Sequence, residues 1–508
     1  MISQQRVPQY ESQLSSDEEK TFSRLIVVGL VLTALTYVHA IGMTWPTLNY
    51  SPDSWSYLEL AKTFDRDIYR FNTFRSYFSE TYSASFPFGY PFILYLFQRT
   101  FGSYEGAGLL INVALVLITP FLAELFSRVY LRTRGVGFVS GVVLVLYPPY
   151  IDEVTAGRSI PMTIAFCLLA LAILGRAVRQ NSLGLVFLSG IIAGIPALLR
   201  FDALLPAIAL SLFVFMRAES VSLGLTYLVG VAVSLSPWMV YSLNYFEKIY
   251  VSDNNWIVLS STVAYVTDYP AQTLSSAFAH PLEWLGKVIV NLLKLTRSVA
   301  TILAKYGAPI FIGVGAIVRL SGRRAPLLFR DLDRGFIYIL LCYIVGLASY
   351  IIAGYFDHRY FSMTFFLVFL TSMMIFAGEC AKTNGKKTKM RQVLVAALVS
   401  SALVANAWAY VFWTTTYVQK MTQDIRDRVL MTHLAECHRR EPSVLYLFED
   451  GRFAARFGST YGFKTGMLPG NWHLLDESTK SQFEQRFGPS RFFNVAMLRS
   501  ASVSGLVC

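Results

Sequence analysis

An acidic turn, Ser51 to Tyr57, directly follows the first long apolar stretch of the chain. Its carboxylate, Asp53, stands at a lipid boundary, where an ionised group is costly to keep and usually binds or catalyses something. A carboxylate within hydrogen-bond reach of a hydroxyl can act as general base. Pro52 and Asp53 also suit the first turn of a helix, so an ordinary helix cap is the alternative. Tyr57, one turn further on the same helix face, is predicted to contact a substrate.

Three arginines, Arg158, Arg200 and Arg359, each stand at the end of an apolar stretch in a short predicted loop. A guanidinium is a permanently charged planar fork that matches phosphate oxygens. The order of preference for a phosphate site is Arg359, then Arg158 and Arg200. The alternative for each of them is a side chain that extends to lipid headgroups from a helix end.

Other polar residues near these positions are predicted to contact the substrate. Glu153 precedes Arg158 and His358 precedes Arg359, while Asn254 and Trp256 offer an amide and an aromatic face suited to sugar hydroxyls and C–H surfaces. The alternatives are that these side chains orient a neighbouring group, pack against other residues, or occupy ordinary loop positions. None of the five cysteines has metal-ligand spacing, so no metal site is predicted. The sequence leaves open whether a divalent cation binds.

The elements that must position these residues are membrane helices. Hydrophobic residues make up 54% of the chain and charged residues only 15%, which indicates a polytopic membrane protein. We expect about eleven spans, the first one retained as an anchor. They are read at 25–45, 106–126, 136–151, 160–174, 183–199, 203–215 and 223–243, with four more near Val299, Phe336, Phe361 and Val393.

Loop charge decides the orientation. If the apolar segment 86–101 lies along the outer surface, most loop Lys and Arg residues face the cytoplasm and the short outer loops hold only Arg158, Arg200 and Arg359. A spanning segment would invert this pattern and is rejected. The amino terminus is therefore predicted inside and the carboxyl terminus outside. The net charge of +12 then reflects orientation, and no nucleic-acid partner is needed to explain it.

Three regions follow from this topology. Residues 1–24 form a cytoplasmic tail, and residues 25–413 form a membrane domain with long outer loops at about 46–105 and 244–295. Residues 414–508 form a small outer domain, predicted to be α/β. In an oxidising compartment Cys437 and Cys508 can pair, and two free thiols are the equally weighted alternative.

Several separated pieces of the chain share a predicted outer placement and stand in a characteristic order. They are Asp53-Ser54-x-x-Tyr57, Pro87-Phe88-Gly89-Tyr90-Pro91, Pro148 with Asp152 and Glu153, Leu199-Arg200-Phe201-Asp202, Ser236-Pro237-Trp238 with Asn244-Tyr245-Phe246, and Arg359-Tyr360. Together these pieces resemble the GT-C superfamily, specifically the bacterial lipid-linked-sugar enzymes akin to aminoarabinose transferases and protein O-mannosyltransferases. Many of these relatives carry a paired acidic motif, whereas here Ser54 follows Asp53, which puts metal dependence in doubt.

The resemblance implies an all-α GT-C fold with amphipathic juxtamembrane helices in the first outer loop. It also implies an inverting glycosyltransferase of the bacterial inner membrane, with a polyprenyl-phosphate sugar as donor and a glycan, lipid or protein hydroxyl as acceptor at the periplasmic face. Asp53 would be the general base. A lipid-linked substrate transporter or flippase, and an O-antigen polymerase or ligase, are the alternatives. The transporter predicts charged or broken-helix residues near the middle of the membrane.

Overall fold

The computed structural model describes the chain in segments, most of them helical. These are residues 16–44, 52–64, 86–102, 106–131, 135–218, 220–246, 281–306, 387–412, 414–415 and 418–448, with residues 339, 341–344, 363, 453, 457, 465–467 and 490–493. The helices are α1 Ser16–Thr44, α2 Pro52–Thr63, α3 Gly89–Phe101, α4 Ala107–Leu131, α5 Val136–Val145, α6 Pro148–Thr155, α7 Ile160–Gln180, α8 Leu183–Leu199, α9 Leu204–Ala218, α10 Val221–Phe246, α11 Pro281–Tyr306, α12 Lys387–Phe412 and α13 Val418–Arg440.

Five of the described helices are long and apolar enough to cross a membrane. They lie within α1, α4, α7, α10 and α12, and α5, α8 and the segment 201–216 add shorter apolar helices. The side chains that these helices leave exposed are largely aliphatic, as lipid contact requires. The protein is therefore an integral membrane protein. The full number of spans stays a prediction, because much of the chain after residue 306 lies outside the described residues.

The predicted boundaries differ from the observed ones at two places in particular. The predicted span 136–151 is two helices, because Pro148 and Pro149 cannot continue α5 and instead occupy the first turn of α6. Helix α11 begins at Pro281, inside the predicted second outer loop. Helix α3 has 13 residues, fewer than the roughly 20 that a span needs. Its length thus agrees with a helix lying along the surface.

Helix α8 packs closely against α10 through small residues. A Cβ atom added to Gly190 would lie 2.2 Å from the Tyr227 carbonyl oxygen, and one added to Gly230 would lie 2.4 Å from the Phe187 carbonyl oxygen. Small residues let two backbones approach in lipid, where packing replaces the hydrophobic effect as the force between helices. The α8–α10 distance is thus fixed by two glycines.

A buried carboxylate at one end of the bundle caps α5. Glu124 accepts hydrogen bonds from the backbone N–H groups of Gly135 (3.0 and 3.1 Å) and Phe138 (3.0 Å), and from Arg128 Nε (2.8 Å). The first N–H groups of a helix have no intrahelical partner, and a negative charge there is favourable. Glu124 on α4 therefore fixes where α5 begins.

We expect Glu124→Ala to destabilise the protein by about 2–4 kcal/mol, because it leaves two buried N–H groups without an acceptor. Thermal unfolding in detergent, followed by circular dichroism, measures this. Glu436→Ala is the matched control, since Glu436 is exposed on α13. A melting temperature equally unchanged in both variants would contradict the capping role.

Helices α1 and α12 are joined by a polar cluster inside the membrane region. Asn406 Nδ2 donates to Thr36 Oγ1 (2.9 Å) and to the Ala402 carbonyl (2.8 Å), so its Oδ1 faces His39 Nδ1 at 3.0 Å. Both amide hydrogens are used, which makes His39 Nδ1 the donor. This cluster ties the helix that leads to Asp53 to the last described apolar helix.

The described part of the carboxyl-terminal region consists of α13 and three short parallel strands. These are β1 Leu445–Phe448, β2 Thr465–Met467 and β3 Ser490–Phe493, in the order β2-β1-β3. Apolar residues of α13 pack on Tyr446 and Phe448 of the central strand. The domain boundary near residue 414 stays a prediction.

Cys437 of α13 forms a disulfide whose second cysteine lies outside the described residues, whereas Cys167 and Cys342 are free. Free thiols at both Cys437 and Cys508, one of the two sequence alternatives, are thereby excluded. The pairing with Cys508 stays a prediction. A disulfide agrees with an oxidising compartment for this region.

Candidate functional site

Helix α2 brings Asp53 to one end of the bundle. The helix begins at Pro52, whose fixed φ suits a first helical position, and Asp53 is the acidic residue of its first turn. The Asp53 side chain is partly exposed, while the neighbouring Ser54 and Tyr57 are buried. Asp53 is thus accessible on a helix that is anchored by the residues around it.

That anchor is the turn Ala156–Ser159 between α6 and α7, hereafter the 156–159 turn. Its four residues are each hydrogen-bonded by a side chain from another helix. Ser54 Oγ donates to the Ala156 carbonyl (2.5 Å), Tyr90 Oη to the Gly157 carbonyl (2.8 Å) and Asn112 Nδ2 to the Arg158 carbonyl (2.8 Å), and Tyr57 Oη lies 3.3 Å from Ser159 Oγ. Helices α2, α3 and α4 therefore hold the turn that carries Arg158.

Two glycines make this arrangement sterically feasible. Gly157 has a φ of +64°, a conformation that side-chain-bearing residues rarely adopt. A Cβ atom added to Gly108 of α4 would lie 2.8 Å from the Gly157 carbonyl oxygen and 3.0 Å from Tyr90 Oη. The turn can thus approach α4 closely enough for Asn112 to reach it.

Arg158 is held by two carboxylates of α6. Its Nη1 contacts Glu153 Oε1 in a short ion pair and lies 3.3 Å from Asp152 Oδ2. The Glu153 side chain is fully buried, whereas those of Asp152 and Arg158 are 17% and 14% exposed. Glu153 is therefore placed to orient Arg158, and Asp152 is the acidic side chain of the pair that a substrate can reach.

Asp152 was not among the predicted site residues, although its position beside Glu153 and after Pro148 was the available signal. Tyr57, which was predicted to contact a substrate, is buried. Its ring packs edge-to-face on Phe86 (5.1 Å) and Tyr90 (5.0 Å), and only 3% of the residue is exposed. Tyr57 and Glu153 are thus both buried, and the predicted contact of either residue with a substrate stays a prediction.

A second arginine turn lies between α8 and α9. Arg200 Nε donates to Asp202 Oδ1 (3.0 Å), and the intervening Phe201 packs on Trp238 of α10 at 5.0 Å. Gly89 brings α3 against the end of α8, since a Cβ atom there would lie 2.5 Å from the Leu198 carbonyl oxygen. Helix α3 thus contacts the 156–159 turn and the end of α8 that leads to Arg200.

Helix α2 also reaches both turns. Ser54 and Tyr57 contact the 156–159 turn, while Leu60, two turns after Asp53, belongs to the buried cluster of Trp238 and Phe201. The structure therefore brings Asp53, Arg158 and Arg200 to the same end of the bundle. In the sequence these residues are separated by more than 100 and by more than 40 positions.

Comparison with solved structures finds the same architecture elsewhere. The chain is similar to the crystal structure of ArnT from Cupriavidus metallidurans bound to undecaprenyl phosphate, with 13% identity and a TM-score of 0.50 over 92% of this chain and 89% of that chain. The chain has the GT-C fold. No protein-family model and no curated protein sequence matches it.

The GT-C fold confirms the predicted fold class, a largely helical polytopic membrane protein. The resemblance on which that prediction depended covered pieces of the chain, whereas the structural likeness covers nearly its whole length. At 13% identity the likeness concerns the fold, so the residue roles rest on the geometry of this chain.

The remaining predicted site residues, Arg359, His358, Asn254 and Trp256, lie outside the described residues, and their roles stay predictions. Within the described part of the chain, no group of three or more His, Cys, Asp and Glu side chains is arranged to hold a metal ion. Asp53, Asp152, Arg158, Arg200 and Asp202 therefore make up the described candidate site.

Proposed function

We propose that this GT-C protein transfers a sugar from a polyprenyl phosphate to an acceptor hydroxyl, with inversion at the anomeric carbon. The observation that carries the proposal is the convergence of an accessible carboxylate, Asp53, with two arginine turns at one end of a membrane bundle. A carboxylate and guanidinium groups are what proton removal and phosphate departure require.

The proposed transfer is a single displacement at the anomeric carbon. The acceptor oxygen attacks the anomeric carbon and the bond from that carbon to the phosphate oxygen breaks. The acceptor proton passes to Asp53, and the products are the glycoside and polyprenyl phosphate. The leaving phosphate carries negative charge, which guanidinium groups stabilise without supplying a proton.

We assign donor-phosphate binding to Arg359 first and to Arg200 next. Arg158 ranks below Arg200, because two carboxylates surround its guanidinium and reduce the positive potential offered to a phosphate. That the GT-C protein ArnT binds undecaprenyl phosphate supports a polyprenyl carrier for this chain. We place the site at the periplasmic face of the bacterial inner membrane, from the predicted loop charges.

The test is transfer by the purified, full-length protein in lipid nanodiscs. A panel of radiolabelled polyprenyl-phosphate sugars is supplied with membrane extract as acceptor, and both labelled glycoside and released polyprenyl phosphate are measured. Stoichiometric formation of the two products is expected. Movement of the intact lipid-linked sugar between leaflets of proteoliposomes, without release of polyprenyl phosphate, would instead establish the transporter alternative.

The 156–159 turn gives a prediction of its own. We expect Tyr90→Phe to lower the transfer rate about tenfold, because the Gly157 carbonyl loses its hydroxyl partner and Arg158 and Asp152 lose their fixed positions. Initial rates at saturating donor measure this effect. Tyr410→Phe is the control, since Tyr410 is 60% exposed on α12. Equal rates in both variants and the wild type would show that the turn does not need this bond.

A further inference from the structure

A strip of aromatic rings on α10 leads from the protein interior to its surface. Trp238, Tyr241 and Tyr245 follow one another at helical spacing, with ring centroids 5.1 Å apart at each step. Trp238 is buried, whereas Tyr245 is 37% exposed. We call these three residues the α10 ladder.

The ladder begins beside the Arg200–Asp202 ion pair. Phe201, between the two charged residues, contacts the Trp238 ring, and Phe88 stacks on that ring at 5.9 Å. The Arg200 and Asp202 side chains are 13% and 28% exposed, so both remain accessible. A guanidinium has five donors and a carboxylate about four acceptor sites, so such a pair can bind hydroxyl groups while it keeps its own bond.

This combination matches the chemistry of a sugar ring. A sugar presents hydroxyls at its rim, which a carboxylate and a guanidinium bind, and an apolar C–H face, which packs on an aromatic ring. A bare phosphate would be attracted by Arg200 but repelled by Asp202. A polyprenyl chain is apolar and would form neither a hydrogen bond nor an ion pair with these two side chains. Asp202 and the aromatic rings therefore favour a sugar over either of the other two parts of a lipid-linked donor.

Its position relative to Asp53 agrees with this choice. Leu60 is buried in the cluster that contains Trp238, and it lies two turns after Asp53 on α2. The donor sugar is bonded directly to its phosphate, so a residue that contacts the phosphate has a sugar contact next to it. Arg200 and Asp202 stand two positions apart, so Arg200 can contact the phosphate while Asp202 contacts the sugar.

We propose that Asp202 and the α10 ladder form the subsite that binds the sugar of the donor, beside Arg200, which contacts the phosphate. This assignment rests on the proposed transferase function. Asp202 accepts hydrogen bonds from rim hydroxyls, and Tyr241 and Tyr245 cover the C–H face of the ring. The subsite selects the sugar and places its anomeric carbon, whereas Asp53 acts on the acceptor.

The test compares the affinities for polyprenyl-phosphate sugar and for bare polyprenyl phosphate, measured with radiolabelled lipids on the full chain in nanodiscs. Asp202→Asn keeps an oxygen that can accept the Arg200 bond, and Tyr245→Ala removes an exposed ring without opening the core. Each variant should weaken binding of the sugar-bearing lipid at least about tenfold and binding of the bare lipid less than about twofold. Tyr410→Ala is the control and should change neither.

An equal loss for both lipids, or no loss for either, would overturn the subsite. The transferase function is tested separately, because lipid binding is measured without any sugar transfer. If Asp202→Asn loses the preference for the sugar-bearing lipid and the wild type transfers no sugar from any donor, the subsite stands and the transferase function fails. If the wild type transfers sugar and the variant keeps its preference, the subsite fails alone.

Discussion

Asp53→Asn should lower the rate of sugar transfer at least about a hundredfold while the protein stays folded. General-base catalysis contributes about 10²–10⁴ in rate, and an amide cannot take the acceptor proton. Initial rates with donor and acceptor at saturation measure the loss, and thermal unfolding in the same nanodiscs verifies the fold. Glu436→Gln, at an exposed position on α13, is the control for removing one carboxylate charge.

This substitution separates catalysis from helix capping. Asn and Asp are nearly equivalent as helix caps, so a residue that only begins α2 would tolerate the change, apart from a dipole contribution of about 0.3–1 kcal/mol. A variant that is slightly less stable but fully active would make Asp53 a capping residue. The general base would then have to be sought elsewhere, with Asp152 and Asp202 as the other accessible carboxylates of the described site.

Gly190→Ala should destabilise the bundle by about 3 kcal/mol, at the upper end of the usual cost of overpacking. The new methyl group would lie 2.2 Å from a backbone oxygen of α10, and a backbone atom cannot turn aside as a side chain does. Helices α8 and α10 would have to separate. Since α8 ends at the Arg200 turn and α10 carries Trp238, we also expect transfer to fall.

The matched control lies on the same helix. Gly184 has open space around its Cβ position, so Gly184→Ala should be neutral or stabilising by up to about 1 kcal/mol through helix propensity. Melting temperatures and the yield of monodisperse protein are compared for the two variants. If the Gly190→Ala and Gly184→Ala variants have the same melting temperature, the close approach of α8 and α10 does not limit stability.

Local features of the sequence predicted the membrane class and the ends of helices near the site. Apolar runs identified most of the described spans, because lipid requires about 20 consecutive apolar residues and an internally bonded backbone. Pro52 marked the beginning of α2. Local patterns failed at residues 136–151, where uniform hydrophobicity hid the break at Pro148 and Pro149. They also missed the early beginning of α11, whose first turns contain Glu283 and Lys287.

By itself, the sequence determined that this is a polytopic membrane protein with Asp53, Arg158 and Arg200 at helix ends, since charge is excluded from lipid-facing spans wherever it has no partner. Tertiary structure alone decided what surrounds each of them. The Ser54–Ala156 and Tyr90–Gly157 bonds join residues 102 and 67 positions apart, and no local pattern encodes such a pair. The burial of Tyr57 and Glu153 has the same origin, because a side chain's exposure depends on which distant helices pack over it.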